Sequence, residues 1–148
     1  MIVSFKKILI PTDGSEYTKV AIRKGLTLAK QTGAEVTALY VMDQTPFVNM
    51  PIDSTTVTIH SILRDEGKEA LDYVKKMGDE MGVEVETRIE EGFPVRNILE
   101  HSKTFDLIVM GTLGRTGFSK LLMGSVAEKV VRHAQIPVMV VRGDEVEQ

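Results

Sequence analysis

Four short, mostly apolar runs constrain this chain more than anything else in it: Lys7–Pro11 (KILIP), Glu35–Val41 (EVTALYV), Phe105–Met110 (FDLIVM) and Pro137–Val141 (PVMVV). Each is too short for a helix and bounded by turn-forming residues, as expected of a strand buried on both faces. A fifth segment, Val83–Ile89 (VEVETRI), alternates apolar and polar residues and reads as an edge strand wet on one side. The stretches between them carry helical spacing. After the turn and capping cluster Thr12-Asp13-Gly14-Ser15, the recurrence of Ala21, Gly25, Leu28 and Ala29 predicts a helix from about Ser15, with Gly33 as its C-terminal glycine. The small residues on that face predict close packing against a sheet. Strands alternating with helices imply a parallel sheet covered on both faces, an α/β architecture. In such sheets ligands sit beyond the carboxyl ends of the strands, where the strand order reverses. Adjacent placement of the first and fourth strands there would bring Asp13 and the glycine loop after the fourth strand to one crevice.

The remaining connections are less regular. Met42–Thr55 holds Pro46 and Pro51 with no clear periodicity, and reads as a long loop of the kind that forms lids. A long helix then runs to about Met81, with Ile59, Ile62, Leu63, Ala70, Leu71, Val74 and Met77 as its apolar stripe and Gly82 as its stop. Gly92-Phe93-Pro94 opens a short helix, Pro94 near its first position and Val95, Ile98 and Leu99 inward.

Bulk properties narrow the function. At 148 residues and 43% hydrophobic content the chain suits one domain with a full core. A net charge of −3 argues against a broad nucleic-acid surface. With no cysteine, disulfides, thiolate metal sites and a cysteine nucleophile are excluded. The N-terminal apolar run does not read as a signal peptide, and no stretch approaches 18 apolar residues, so the reading is a soluble cytoplasmic protein without membrane partners. One domain is expected over residues 1–142, with a polar tail at 143–148. His60, His101 and His133 lack metal-ligand spacing, and the scattered methionines read as core filler.

Chemistry is concentrated between the fourth strand and the last helix, in GTLGRTGFSKLLMGS. Gly111, Gly114 and Gly124, followed by Ser125, let backbone N–H groups approach a ligand, and a helix beginning at Ser125 aims its dipole at the same place. Strand, glycine loop and helix start form an anion cradle suited to phosphate. Neither G-x-G-x-x-G nor the P-loop pattern occurs. Ser125 and Glu128 have capping-box spacing, which makes Ser125 the expected N-cap, a role compatible with phosphate binding.

With KKILIPTDGSE at the start, Tyr40-Val41 closing the second strand, and DLIVMGTLGRTGFSKLLMGSVAEKVVRHAQIPVMVV at the end, the chain resembles the universal stress proteins over nearly its whole length. Gly111, Gly114, Gly124 and Ser125 match every position of that family's nucleotide signature, G-x2-G-x9-G-[ST]. The resemblance implies a Rossmann-like three-layer α/β/α fold of the adenine nucleotide alpha hydrolase type, with five parallel strands in the order 3-2-1-4-5. It also implies ATP as ligand. Pro11, Thr12, Asp13 and Val41 would line the adenosine side. Gly111 and Thr112 would meet ribose and α-phosphate, with Met110 among the binding residues, and Gly114, Arg115, Thr116 and Gly117 would follow the phosphates. Gly124, Ser125, Val126 and Ala127 would present the helix start to the distal phosphates. Mg²⁺ or Mn²⁺ would accompany the triphosphate, with Asp13 as candidate ligand. On the residues alone, Asp13 fits a turn residue as well as a ligand contact, Arg115 fits a solvated cation as well as a phosphate partner, and His133 fits a helix C-terminal charge.

Three functions stand at this point: an ATP-binding stress or signalling module with an unidentified partner, a slow ATPase or phosphoryl transferase, and a structural dimer. The intact signature weighs against the last. No general base or oriented nucleophile stands beside the cradle to support the second. Pro137–Val141, an uncharged strand expected at a sheet edge, is the predicted homodimer contact, as the resemblance also implies.

Overall fold

A computed structural model of the chain describes residues 5–112 and 123–143. The elements in chain order are β1 (Lys7–Pro11), α1 (Glu16–Thr32), β2 (Glu35–Asp43), a short 3₁₀ turn (Thr45–Phe47), α2 (Ser54–Met81), β3 (Val85–Gly92), α3 (Pro94–Ser102), β4 (Leu107–Gly111), α4 (Ser125–His133) and β5 (Val138–Val141). The five strands form one sheet in the order β3-β2-β1-β4-β5, every neighbouring pair parallel. This is the expected α/β/α architecture and strand order. The order reverses between β1 and β4, so the crevice lies at the ends of those two strands.

Side-chain alternation divides the core into two layers. Ile8 and Ile10 of β1 face α1 and α2, joining Ile22, Leu26, Val36, Ala38, Val74 and Val109. Leu9 faces α3 and α4, joining Leu39, Ile98, Ile108, Met110 and Val130. α1 lies close to the sheet because Gly25 carries no side chain: a Cβ there would stand 2.7 Å from Cδ1 of Ile10. The helix ends at Gly33, which is in the left-handed conformation that terminates helices. At the other end of the sheet, one carboxylate oxygen of Asp106 accepts the N–H groups of both Lys6 and Lys7 at 2.9 Å, joining the start of β1 to the approach to β4.

Several expectations are corrected. β2 runs to Asp43, two residues beyond the predicted Val41, and the 3₁₀ turn breaks what was read as a featureless loop. α2 begins at Ser54 because Asp53 caps it: its Oδ1 accepts from Thr55 N–H and Thr56 N–H, while Thr56 Oγ1 receives the N–H of Asp53. The apolar stripe assigned to α2 is only half buried. Leu71 and Val74 are in the core, whereas Ile59 and Ile62 are 36% and 52% exposed. A helix of 28 residues is ~42 Å long, more than strands of eight or nine residues can cover. The methionines also divide: Met42 and Met110 are buried, but Met50, Met123 and Met139 are exposed. β3 is the expected half-wet edge, with Glu86 and Arg88 in solvent.

Candidate functional site

The carboxyl end of β1 is a turn held by its own side chains. Thr12, buried, donates its N–H to Leu39 O at 2.9 Å, and its hydroxyl accepts Gly14 N–H at 3.1 Å and pairs with Thr18 Oγ1 at 3.2 Å. Asp13 Oδ1 accepts Ser15 N–H at 2.9 Å. Gly14 has φ +82°, a left-handed conformation that suits glycine, and this turns the chain into α1. Ser15 is the N-cap of α1, yet its hydroxyl makes no capping bond, and its Oγ is buried without a hydrogen-bond partner among the described residues. Thr18 was not singled out from the sequence. The signal was there, since a hydroxyl three residues past Ser15 is positioned to bond Ser15 O, as it does at 2.8 Å.

β4 ends against β5 and then meets α4. Thr112 N–H donates to Val141 O at 3.0 Å, and Gly124 N–H donates to Thr112 O at 2.6 Å. That second bond draws both ends of the glycine-rich stretch together at the switch point. Gly114, Arg115, Thr116 and Gly117 lie outside the described residues. Glycine 124, not Ser125, is the N-cap of α4; Ser125 is its first helical residue and is exposed. Glu128 does not close a capping box, because its side chain pairs with Arg132 one turn on. Nor is Gly124 in a glycine-only conformation: its φ of −65° and ψ of 161° are open to any residue. Its lack of a side chain therefore matters only for what must come close to it. His133 sits at the last position of α4, as the dipole argument expects.

The floor of the crevice follows from alternation. Pro11, Val41 and Met110 share the sheet face of Leu9, Leu39 and Ile108, the face that α4 covers. Met110 and Ala127 are buried, while Val41 and Val126 pack half-buried against them. The structure thus gathers Pro11, Thr12, Asp13, Val41, Met110, Gly111, Thr112, Gly124, Ser125, Val126 and Ala127 around the ends of three strands and one helix start. Apolar side chains lie below and backbone N–H groups stand at the rim. No three His, Asp or Glu side chains converge as a metal site among the described residues. Two other hollows lie away from this crevice: an open trough of about 590 Å³ between α1 and Met139 of β5, and one of about 340 Å³ at the amino ends of β2 and β3.

Beside the crevice, α3 is held from outside itself. Asn97 Oδ1 accepts Phe93 N–H at 3.0 Å and Asn97 Nδ2 donates to Glu90 Oε1 at 2.9 Å, while His101 Nε2 lies 2.5 Å from Glu90 Oε2. Burial pushes the Glu90 carboxyl up, but hydrogen bonds from Asn97 and His101, with the charges of His101 and Arg88, outweigh it and hold the group below the ordinary glutamate range.

Sheet order and crevice together define a doubly wound α/β domain with a helix start at its switch point. The universal stress protein family model matches residues 4–142, and the chain belongs to that family. A similar relative is the universal stress protein MJ0531 of Methanocaldococcus jannaschii, 47% identical over 140 residues that cover 93% of this chain and 82% of that one. Among solved structures, the universal stress protein UspA from Lactobacillus plantarum has a TM-score of 0.82 at 26% identity, covering 95% of this chain and 100% of that one. A universal stress protein crystallised in complex with cAMP shares the fold at a TM-score of 0.69 and 20% identity, covering 95% of this chain and 99% of that one. No helix among the described residues is long and apolar enough to cross a membrane.

Proposed function

We propose that this chain binds ATP in the crevice between β1, β4 and α4, and acts as a nucleotide-dependent stress or signalling module rather than a fast enzyme. The observation that carries the reading is the bond from Gly124 N–H to Thr112 O. It sets the uncapped start of α4 beside the end of β4, where a phosphate chain would meet backbone N–H groups and the positive helix end. Adenine would rest on the apolar floor near Val41 and Pro11, with Thr12 and Asp13 at its edge. Gly114, Arg115, Thr116 and Gly117 complete the signature in the sequence and would follow the phosphates. A solved protein of the same fold holds cAMP, which supports a nucleotide as the class of ligand.

A divalent cation fits as a companion of the triphosphate. Asp13 is the carboxylate at the crevice, and one carboxylate plus phosphate oxygens is how Mg²⁺ is commonly held. When bound, the ion would neutralise phosphate charge. Asp13, turned toward Ser15 N–H, would orient it. The homodimer proposed through Pro137–Val141 is supported by the place of β5 at the sheet edge, where Met139 is exposed.

The test is to denature the purified protein and separate what it releases by chromatography, then titrate the emptied protein with ATP, AMP and cAMP, with and without Mg²⁺. ATP binding in preference to AMP supports the reading. Turnover in the ordinary enzyme range, on the order of 1–10³ per second, would replace it with the ATPase reading.

A further inference from the structure

The amino-terminal half of α2 carries apolar side chains that no described element covers. Ile59, Ile62, Glu66, Glu69 and Tyr73 stand at helical spacing on one flank. At its far end this flank abuts α1, where Lys19 Nζ lies 4.8 Å from the Tyr73 ring centroid. α1 begins only at Glu16, and the turn before it stands level with Ala70: a Cβ on Gly14 would lie 3.4 Å from Ala70 Cβ. Ile62 and Ile59 therefore lie about 12 and 16 Å beyond the start of α1 along the α2 axis. The other flank and the preceding turn are engaged with different neighbours. Arg64 reaches Glu91 of β3 at 3.8 Å, and Phe47 packs on His60 with ring centroids 4.3 Å apart.

We infer that this half of α2 docks against the same half of a second copy of the chain, the two helices antiparallel and paired through Ile59 and Ile62. Two observations choose that occupant. The first is area. Val48, Met50, Ile52, Ile59 and Ile62 are each a third or more exposed, with Ile52 at 93%. Together they leave on the order of 500 Å² of apolar surface at one end of the molecule, the upper range for a monomer. Two copies contributing that much approach the roughly 1,000 Å² that a specific interface needs.

The second is charge pattern. The first turn of α2 holds no acidic residue and is rich in hydroxyls (Ser54, Thr55, Thr58), whereas Asp65, Glu66 and Glu69 follow about two to four turns later. An antiparallel pairing that opposes Ile59 to Ile62 of the other copy also sets Thr55 beside Glu66 of the other copy. Each carboxylate row then meets the hydroxyl donors of the other copy's first turn. Parallel pairing would set carboxylate against carboxylate. This surface is separate from β5, so both contacts together would give a dimer of dimers.

The experiment compares wild type, Ile59→Glu/Ile62→Glu and Val140→Lys by sedimentation, with circular dichroism to verify folding. The chain has no cysteine, so a double Ile59→Cys/Ile62→Cys protein reports pairing directly by disulfide formation, with Val57→Cys on the far flank as control. The expected result is a halving of mass in the Ile59→Glu/Ile62→Glu protein and an intermolecular disulfide in the double-cysteine protein but not in the control. Unchanged mass, or no disulfide, overturns the inference. So does finding that this surface captures a different protein while the purified chain never pairs there.

Discussion

α2 and α4 begin in opposite ways. Asp53 closes the start of α2 with its own carboxylate, satisfying the N–H groups of Thr55 and Thr56, and Thr56 returns the bond. At α4 the N-cap is Gly124, which has no side chain to cap with. Both helices are required by the fold, so both starts could have been closed for stability. Of the two, only the start at the switch point has no side-chain cap among the described residues. A helix start without such a cap, at the place where this class of sheet binds ligands, is a site held open at some cost in local stability.

Closing α4 should have the largest effect. Gly124→Asp fits the backbone, since φ is −65°, and aspartate is among the best N-caps. It should hold or raise the melting temperature while ATP affinity falls by about 100-fold or more, because a carboxylate would occupy the phosphate position and repel it. Calorimetric titration alongside a thermal melt would show the two moving apart; full ATP affinity in the variant would break the comparison. The reciprocal change opens α2. Asp53→Ala should lower stability by about 1–2 kcal/mol in a urea melt with ATP affinity unchanged, because Asp53 is no part of the crevice.

Ser125→Ala refines the picture. As the first helical residue rather than the cap, Ser125 contributes little to the helix, so stability should stay within about 0.5 kcal/mol of wild type. Affinity should drop about fivefold, the loss of one hydroxyl to phosphate at about 1 kcal/mol. A destabilised Ser125→Ala protein would mean that the hydroxyl caps after all.

The smallest effect concerns α3, a third kind of start, tied by Glu90 through Asn97. Because the folded-state carboxyl titrates below its ordinary range, its contribution is present above the unfolded pKa and is lost as pH falls through the folded one. Glu90→Gln should therefore weaken the protein slightly at neutral pH, with the difference from wild type vanishing in acid. Denaturation curves at several pH values would reveal a pH-independent offset if the network acts otherwise.

These contrasts also explain what could be read from the chain alone. β1 and α1 were legible because period, turn residues and Gly33 all agree on one answer. The strand order came with the family likeness, and the structure bears it out. The start of α4 was misread by one residue because Ser-x-x-Glu has capping-box spacing whether or not the box closes; pairing of Glu128 with Arg132 decided it. The outer half of α2 was misread because Ile59 and Ile62 were joined to the stripe of Leu71 and Val74. At about 100° per residue they lie instead on the neighbouring flank, that of Glu66, Glu69 and Tyr73, while Thr56 keeps the buried face in the first turn. The crevice residues from β1, β2, β4 and α4 were all named from sequence, while the support of Thr12 by Thr18 depends on a buried hydroxyl pair that no period marks.

The central position of β1 has a consequence for how the chain is made. β1 lies between β2 and β4, and Asp106 ties the approach to β4 to the first residues of β1. On the ribosome β2 emerges soon after β1, but β4 follows nearly a hundred residues later. At synthesis rates of about 5–20 residues per second the second edge of β1 waits roughly 5–20 s for its partner. During that interval β1-α1-β2-α2-β3 can assemble as a three-stranded half, with one edge of its most apolar strand unpaired. The nascent half-domain, more than the finished protein, is the form in which this sequence is exposed to misassociation.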